Sequence, residues 1–332
     1  MKAIVYHSYG SPDVLKCEEI EKPVPKDDEV LLRVHAASVN PADRHLMRGV
    51  PYIARILFGL SKPSITRPGR LGSDVAGQVE AVGKNVTQLK AGDEVFGVCQ
   101  GAFAEYACAS ESRLSMKPDK VTFEQAASAP VAAITALQGL RDKGKIQSQQ
   151  KVLINGAAGG VGTFAVQIAK SFGADVTGVC STRNVDMVRT IGADRVIDYT
   201  KEDFTKSDQR YDLIFDLVAN HSLSACRRVL NPDGIYIGAG IIGLGGSMIR
   251  LLARMITTIV LPRFVSQTFV TFMAKVNKEE LSNMRKLMEA GKVTPVIDRR
   301  YRLSEVPEAI RYLEEGHARG KVVITLEYNN KT

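Results

Sequence analysis

Apolar residues follow two rhythms along this chain. Over residues 1–122, short stretches of strand formers (Lys2 to Tyr6, Glu29 to Ala36, Val75 to Val82, Glu94 to Val98) alternate with turns carrying Pro12, Pro23, Pro25, Gly83 and Gly92. This pattern predicts a β-rich region. From Phe123 the rhythm changes to a helical pattern over 123–142. Apolar runs follow at 151–155, 175–180, 195–198, 211–217 and 234–239, separated by helical segments, with a last strand at 269–273. Continuous apolar runs joined by helices suit a parallel sheet covered on both faces, so residues 123–273 are expected to form a doubly wound α/β domain. The remainder, 274–332, reads helix (279–290), strand (296–302), helix (304–316) and strand (321–326), a return to the first region. Ser304, followed by Glu305, Pro307 and Glu308, marks the start of the second of these helices.

The run from Lys151 to Lys170 places a buried strand, a glycine turn and a helix in succession. Val152, Leu153 and Ile154 supply the strand, and Phe164, Ile168 and Phe172 recur at helical spacing. Between them, Gly156, Gly159, Gly160 and Gly162, with Val161, permit a tight turn whose free N–H groups face an anion. A dinucleotide pyrophosphate fits this geometry; a turn with no ligand is the plainer alternative. NAD-binding folds carry an acidic residue at the end of the next strand, and here Asp175 to Cys180 is followed instead by Ser181, Thr182 and Arg183. Hydroxyl donors and a guanidinium suit a 2′-phosphate, which points to NADP(H); a helix-capping serine beside a solvated arginine is the alternative. Tyr199, ending the third strand, is placed to flank the adenine end or to pack internally.

At 332 residues the chain exceeds one ordinary core, and 45% hydrophobic with 24% charged residues is normal for a globular protein. The five cysteines (17, 99, 108, 180 and 226) show no paired spacing, which fits a reducing cytoplasm. No signal-like leader or membrane-length apolar run is visible. A net charge of +8 is compatible with nucleic acid, an anionic membrane or a phosphorylated ligand, but the basic residues are dispersed, so no specific nucleic acid is expected. Between Asp233 and Glu279 no acidic residue occurs. There the stretch 248–261 reads as a helix with Arg250 and Arg254 on one side and apolar residues over much of the rest: a lid, a dimer contact or a peripheral contact with an anionic membrane.

Several segments together resemble the zinc-free quinone oxidoreductase branch of the medium-chain dehydrogenase/reductase superfamily. They are Ala37 to Asp43 with Arg48-Gly49, Gly72 to Gly83 with Gly92 to Val95, the glycine turn, Gly101 to Tyr106, Ala133 to Ala136, Gly192 to Tyr199 and Gly320 to Ile324. Within that branch, Cys180 to Asn184 is similar to the subgroup of chloroplast-envelope quinone oxidoreductase homologues and the mitochondrial reticulon-4-interacting protein. The resemblance implies a β-rich GroES-like catalytic domain beside a Rossmann domain, NADPH as cofactor, and a homodimer, here expected to form through the last sheet strand. Zinc-dependent members place a cysteine within the segment matching Ser38 to Asp43 and a histidine at the position of Ser73. This chain has neither, and His35 and His45 lack a thiolate companion, so no metal is expected.

Without a Lewis acid, the accessible chemistry is hydride transfer to an electron-poor π system, a quinone or an α,β-unsaturated carbonyl. Asn40 is a candidate amide for the nicotinamide ribose or the substrate oxygen, or a turn residue before Pro41. His45, where related reductases carry tyrosine, is a candidate proton or hydrogen-bond donor or a surface histidine, and Tyr52 is a second candidate donor or a core residue. Asp43 and Arg48 are expected to pair. Thr135 matches a nicotinamide contact, Gly238 and Gly240 allow close approach of the nicotinamide half, and Lys321 either reaches the cofactor or only begins the final strand. A 2-enoyl thioester reductase is a second enzymatic reading; a non-catalytic NADPH-binding redox sensor or RNA-binding protein is the reading from another class.

Overall fold

The computed structural model describes residues 1–49, 63–66, 68–239 and 266–326. The chain divides into two compact units, Met1–Val131 with Val276–Gly291 and Pro295–Thr332, and Ala132–Lys275 with Lys292–Thr294. The first unit opens with β1 (Lys2–Tyr6), β2 (Lys16–Glu19), β3 (Glu29–Ser38), α1 (Pro41–Arg48), β4 (Gly69–Arg70), β5 (Asp74–Val82), β6 (Glu94–Val98), β7 (Tyr106–Ser110), β8 (Leu114–Met116) and α2 (Phe123–Ser128). The second holds α3 (Pro130–Gln138), β9 (Lys151–Asn155), α4 (Gly160–Ser171), β10 (Asp175–Cys180), α5 (Val185–Thr190), β11 (Arg195–Asp198), β12 (Tyr211–Asp216), α6 (Leu223–Arg228), β13 (Leu230–Ala239) and β14 (Thr268–Phe272). Helix α7 (Lys278–Glu289), β15 (Ile297–Arg302), α8 (Val306–Glu314) and β16 (Lys321–Thr325) return to the first unit.

In the second unit the six-stranded sheet runs β11-β10-β9-β12-β13-β14, with every pairing parallel. Strand order reverses between β9 and β12, and in such sheets ligands bind beyond the carboxyl ends at that reversal. Val152, Leu153 and Ile154 are fully buried, as a central strand covered on both faces demands. Leu153, Val179, Ile197, Ile214, Tyr236 and Phe269 belong to this unit's core.

In the first unit a seven-stranded sheet follows the order β15-β16-β3-β5-β6-β8, with β7 pairing β3, and a smaller sheet runs β2-β1-β4. Val30, Leu32, Val34, Val75, Val79, Val95, Ile310 and Ile324 are part of one core cluster. The expected boundary at residue 123 moves to Val131, because α2 packs against β3, β5 and β16. In the return segment, Lys292–Thr294 stay with the second unit, where the Gln167 amide donates to the Thr294 carbonyl (2.9 Å) and accepts from its N–H (2.8 Å). The expected helix start at Ser304 is also displaced: a 3₁₀ turn spans Leu303–Glu305, the Glu305 carboxylate accepts from the N–H of Arg302 (2.7 Å), and α8 begins at Val306 with proline in its first turn.

Candidate active site

In the second unit the chain leaves β9 at Asn155, turns through Gly156 with φ of 89°, and enters α4 with Gly159 as its N-cap. A Cβ on Gly162 would stand 2.0 Å from the Gly156 carbonyl oxygen, so any side chain there forces the turn apart. Thr163 makes the first backbone bond back along the helix, to Gly159 (3.0 Å). The N–H groups of Gly160, Val161 and Gly162 are therefore the open donors of a helix N-terminus, and Gly160 and Val161 are only half-buried. Open amides plus the positive end of the helix dipole fit a pyrophosphate.

Beside this turn, at the carboxyl ends of β9, β12 and β13, lies a polar network around Asp216, which is buried. The Asn155 side chain donates to Asp216 (2.9 Å) and to Asn220 (2.9 Å), and the Tyr236 hydroxyl donates to the other Asp216 oxygen (2.6 Å). The N–H groups of Val218 and Ala219 also donate to Asp216 (3.1 and 2.8 Å), which holds Ala219 at φ of 60° in the turn after β12. Sequence reasoning passed over Asn155, Asp216 and Tyr236. Their signal was a polar residue closing an apolar strand, at Asn155 and at Asp216. Gly238 lies in register with Asp216 and Thr271. A Cβ there would meet Thr271 at 3.4 Å and Tyr236 at 3.6 Å, ordinary contacts, so packing among the described residues does not require glycine at this place. Thr135 is half-buried on α3, and Gly240 lies outside the described residues.

Beyond β10, Ser181 accepts from the Asn184 side chain (3.2 Å), and Arg183 sits in the short 3₁₀ turn Thr182–Asn184. Thr182 donates its hydroxyl proton to Asp198 (2.5 Å), and Thr200 donates both its hydroxyl (2.8 Å) and its N–H (3.0 Å) to the same carboxylate. The Thr182 hydroxyl bond above all, then those from Thr200, hold the Asp198 carboxyl down at about 2. The absence of a carboxylate at the end of β10 thus does not leave this corner free of acid. Parallel pairing sets Asp198 beside Cys180, and β11 delivers the charge that the carboxyl end of β10 lacks. Tyr199 is 56% exposed, leaving its ring open to stacking.

In the first unit, Asn40 caps α1, and a buried cluster gathers around it. The Asn40 amide donates to Asp74 (2.9 Å) and accepts from the Lys321 ammonium (2.7 Å). Ser38 (2.8 Å) and the N–H of Val131 (3.0 Å) also donate to Asp74. Lys321, a candidate cofactor contact, sits within this arrangement. Its side chain is buried, and it donates to Val39 (3.3 Å) and Asp74 (3.4 Å) as well, because a buried ammonium needs such partners. Asp43 does not pair with Arg48. It is buried, accepting from the N–H of Asn40 (2.8 Å) and of Gly72 (2.9 Å), and burial pushes its carboxyl up to about 6. Arg48 instead makes a two-pronged pair with Glu314 on α8 (2.5 and 2.7 Å).

His45, on α1, has both ring nitrogens buried without a hydrogen-bond partner among the described residues. Burial first, and then the neighbouring Arg44 charge, holds its pKa below the ordinary value, so the ring is neutral near pH 7. Tyr52 and the stretch 248–261 lie outside the described residues. Among the described residues no group of three or more His, Cys, Asp or Glu side chains converges as a metal ion requires. A groove of about 630 Å³ in the first unit, lined in part by His35, Phe123, Glu124 and Arg300, shares no residue with these clusters. There His35 and Phe123 stack on each other at 4.3 Å, and Arg300 is bridged by Glu124.

Residues 26–119 match the family model described as the alcohol dehydrogenase GroES-like domain, and residues 191–324 the one described as zinc-binding dehydrogenase. Sheet order, glycine turn and GroES-like unit together define a medium-chain dehydrogenase/reductase. The chain belongs to that superfamily, among its quinone oxidoreductase-like members. It is 35% identical to the chloroplastic NADPH-dependent alkenal/one oxidoreductase of Arabidopsis thaliana, covering 98% of this chain and 79% of that one. With the mitochondrial NAD(P)H oxidoreductase RTN4IP1 of Mus musculus it shares 34% identity over 98% of this chain and 89% of the other. The solved quinone oxidoreductase from Coxiella burnetii superposes with a TM-score of 0.86 at 32% identity, covering 98% of this chain and 99% of that one. No helix among the described residues is long and apolar enough to cross a membrane.

Proposed function

We propose that this chain is an NADPH-dependent, zinc-independent reductase that delivers a hydride to a quinone or to the β-carbon of an α,β-unsaturated carbonyl. The observation that carries this reading is the turn over residues 156–162, whose open amides suit a pyrophosphate and whose glycine at 162 no other residue can replace without a clash. Relatives at this level of identity are named as NADPH-dependent alkenal/one and NAD(P)H oxidoreductases, which supports both the cofactor and the acceptor class.

The bound cofactor supplies the hydride. Gly159, Gly160, Val161 and Gly162 hold its pyrophosphate, and Ser181, Arg183 and Tyr199 take the phosphorylated adenosine end. Thr135 and the sparse backbone at Gly238 and Gly240 accommodate the nicotinamide half. His45, neutral and with ring nitrogens that no group among the described residues engages, donates a hydrogen bond to the acceptor oxygen as negative charge develops there, and the reduced anion then takes its proton from water. Asn40 acts through position: its amide is committed to Asp74 and Lys321, and it caps the helix that carries His45. Tyr52 is the second candidate donor.

Zinc independence is supported by donor chemistry. Ser38 gives its proton to Asp74, and the Lys321 ammonium within 3.4 Å of that carboxylate would repel a dication. A homodimer is supported by β14, which ends the six-stranded sheet and offers an edge for pairing. Five free cysteines support a reducing compartment, the cytoplasm. The test is anaerobic NADPH oxidation against a panel of quinones, enones and 2-enoyl thioesters with product analysis. Reduction of quinones or enones is expected; reduction of the thioesters alone, or NADPH left unoxidised by every acceptor, would refute the proposal.

A further inference from the structure

Asp198 is the one carboxylate bonded to the segment that follows β10, among the bonds described there, and it lies where sequence reasoning foresaw only donors. Two hydroxyl protons, from Thr182 and Thr200, are committed to it, and the two hydroxyl oxygens lie 3.0 Å apart, closing the ring. The charge is only 11% exposed, and its nearest cation, Lys201, stands 3.7 Å away on a side chain that is 70% exposed, a weak counterweight. With its single proton given to Asp198, Thr182 meets an incoming phosphate with lone pairs. A phosphate in van der Waals reach of Thr182 also feels the carboxylate through a poorly screened path, and like charges so placed repel.

We propose that Asp198 is a specificity-determining residue that tempers the preference for NADPH over NADH, by withholding the Thr182 proton from the 2′-phosphate and by opposing its charge. Recognition of the phosphate then rests on Ser181 and Arg183, and the chain retains measurable use of NADH. This inference rests on the dinucleotide-binding reading given above. It adds that the corner of the site after β10 is a balance between one guanidinium and one carboxylate.

The test is calorimetric titration of the intact protein with NADPH and with NADH, in wild type, Asp198→Asn and Thr182→Val, read as the ratio of the two Kd values. Asparagine can still accept one hydroxyl bond but carries no charge, so Asp198→Asn is expected to shift the ratio toward NADPH by about fivefold to tenfold. Damage to the fold would weaken both cofactors together and leave the ratio alone. Thr182→Val, which tests the same claim if Asp198→Asn fails to fold, is expected to leave the ratio within about twofold of wild type. A ratio unchanged in Asp198→Asn, or a selective loss of NADPH binding of about tenfold or more in Thr182→Val, would overturn the proposal. If wild type binds NADH more tightly, the NADPH preference falls, yet the Asp198→Asn shift toward NADPH still supports the role of Asp198. Binding of neither dinucleotide by wild type overturns both readings.

Discussion

At the residue scale, burial shifts the titration of two side chains of the first unit, with different consequences. His45 is kept neutral with both nitrogens unpartnered among the described residues, and a buried polar group without a partner is a cost that a bound ligand can relieve. Replacing it by phenylalanine should lower kcat for enone or quinone reduction by about a hundredfold while leaving NADPH affinity unchanged, as steady-state kinetics and cofactor titration would show. Asp43 has its carboxyl raised from 3.8 to about 6, so the folded state binds a proton that the unfolded chain has already released in that interval. Its contribution is fully present below the lower value and is lost as pH rises through the upper one. Relative to Asp43→Asn, wild type should lose about 3 kcal/mol of unfolding free energy across that window, measured by urea denaturation at several pH values.

At the scale of elements, the glycine turn and the exit from β13 show two separate uses of glycine. At Gly162 the chain itself forbids a side chain, since a Cβ would lie 2.0 Å from a backbone oxygen. At Gly238 a methyl group makes only ordinary contacts among the described residues, with Thr271 and Tyr236. Gly162→Ala should therefore lower the melting temperature and abolish cofactor binding together. With the nicotinamide placed at Gly238 as proposed, Gly238→Ala should melt like wild type while its NADPH affinity falls by about tenfold. Equal stability loss in both variants would refute the distinction.

The legibility of elements varied for physical reasons. The parallel strands announced themselves through apolar runs such as 152–154, which must be dry on both faces. β2 went unseen because Lys16–Glu19 is largely exposed. β7 also went unseen, its buried positions being the small Ala107 and Ala109, which barely register as hydrophobic. Within the site, the turn at 156–162 was readable because all its parts are adjacent in sequence. The clasp of Lys321 on Asn40 joins residues 281 positions apart, and the bond from Thr182 to Asp198 depends on strand register; neither leaves a local trace.

For the molecule as a whole, each unit has its own feature: in one a glycine turn with open amides, and in the other, GroES-like, a buried ammonium–carboxylate cluster and a neutral histidine. The chemistry proposed for them needs no Lewis acid, because a quinone or enone accepts hydride once its oxygen is hydrogen-bonded. Turnover should accordingly survive extended dialysis against a strong chelator with no change in kcat, and a loss restored by zinc would count against the donor chemistry described for Ser38 and Lys321. The most direct measurement is anaerobic single turnover with NADPH deuterated at the transferred position, using the best enone and the best quinone of the panel. Mole-for-mole formation of NADP⁺ and reduced acceptor, a primary isotope effect on the step, and deuterium on the β-carbon of the enone product are expected. NADPH that binds and is never oxidised, or an enone reduced without uptake of the label, would contradict the account.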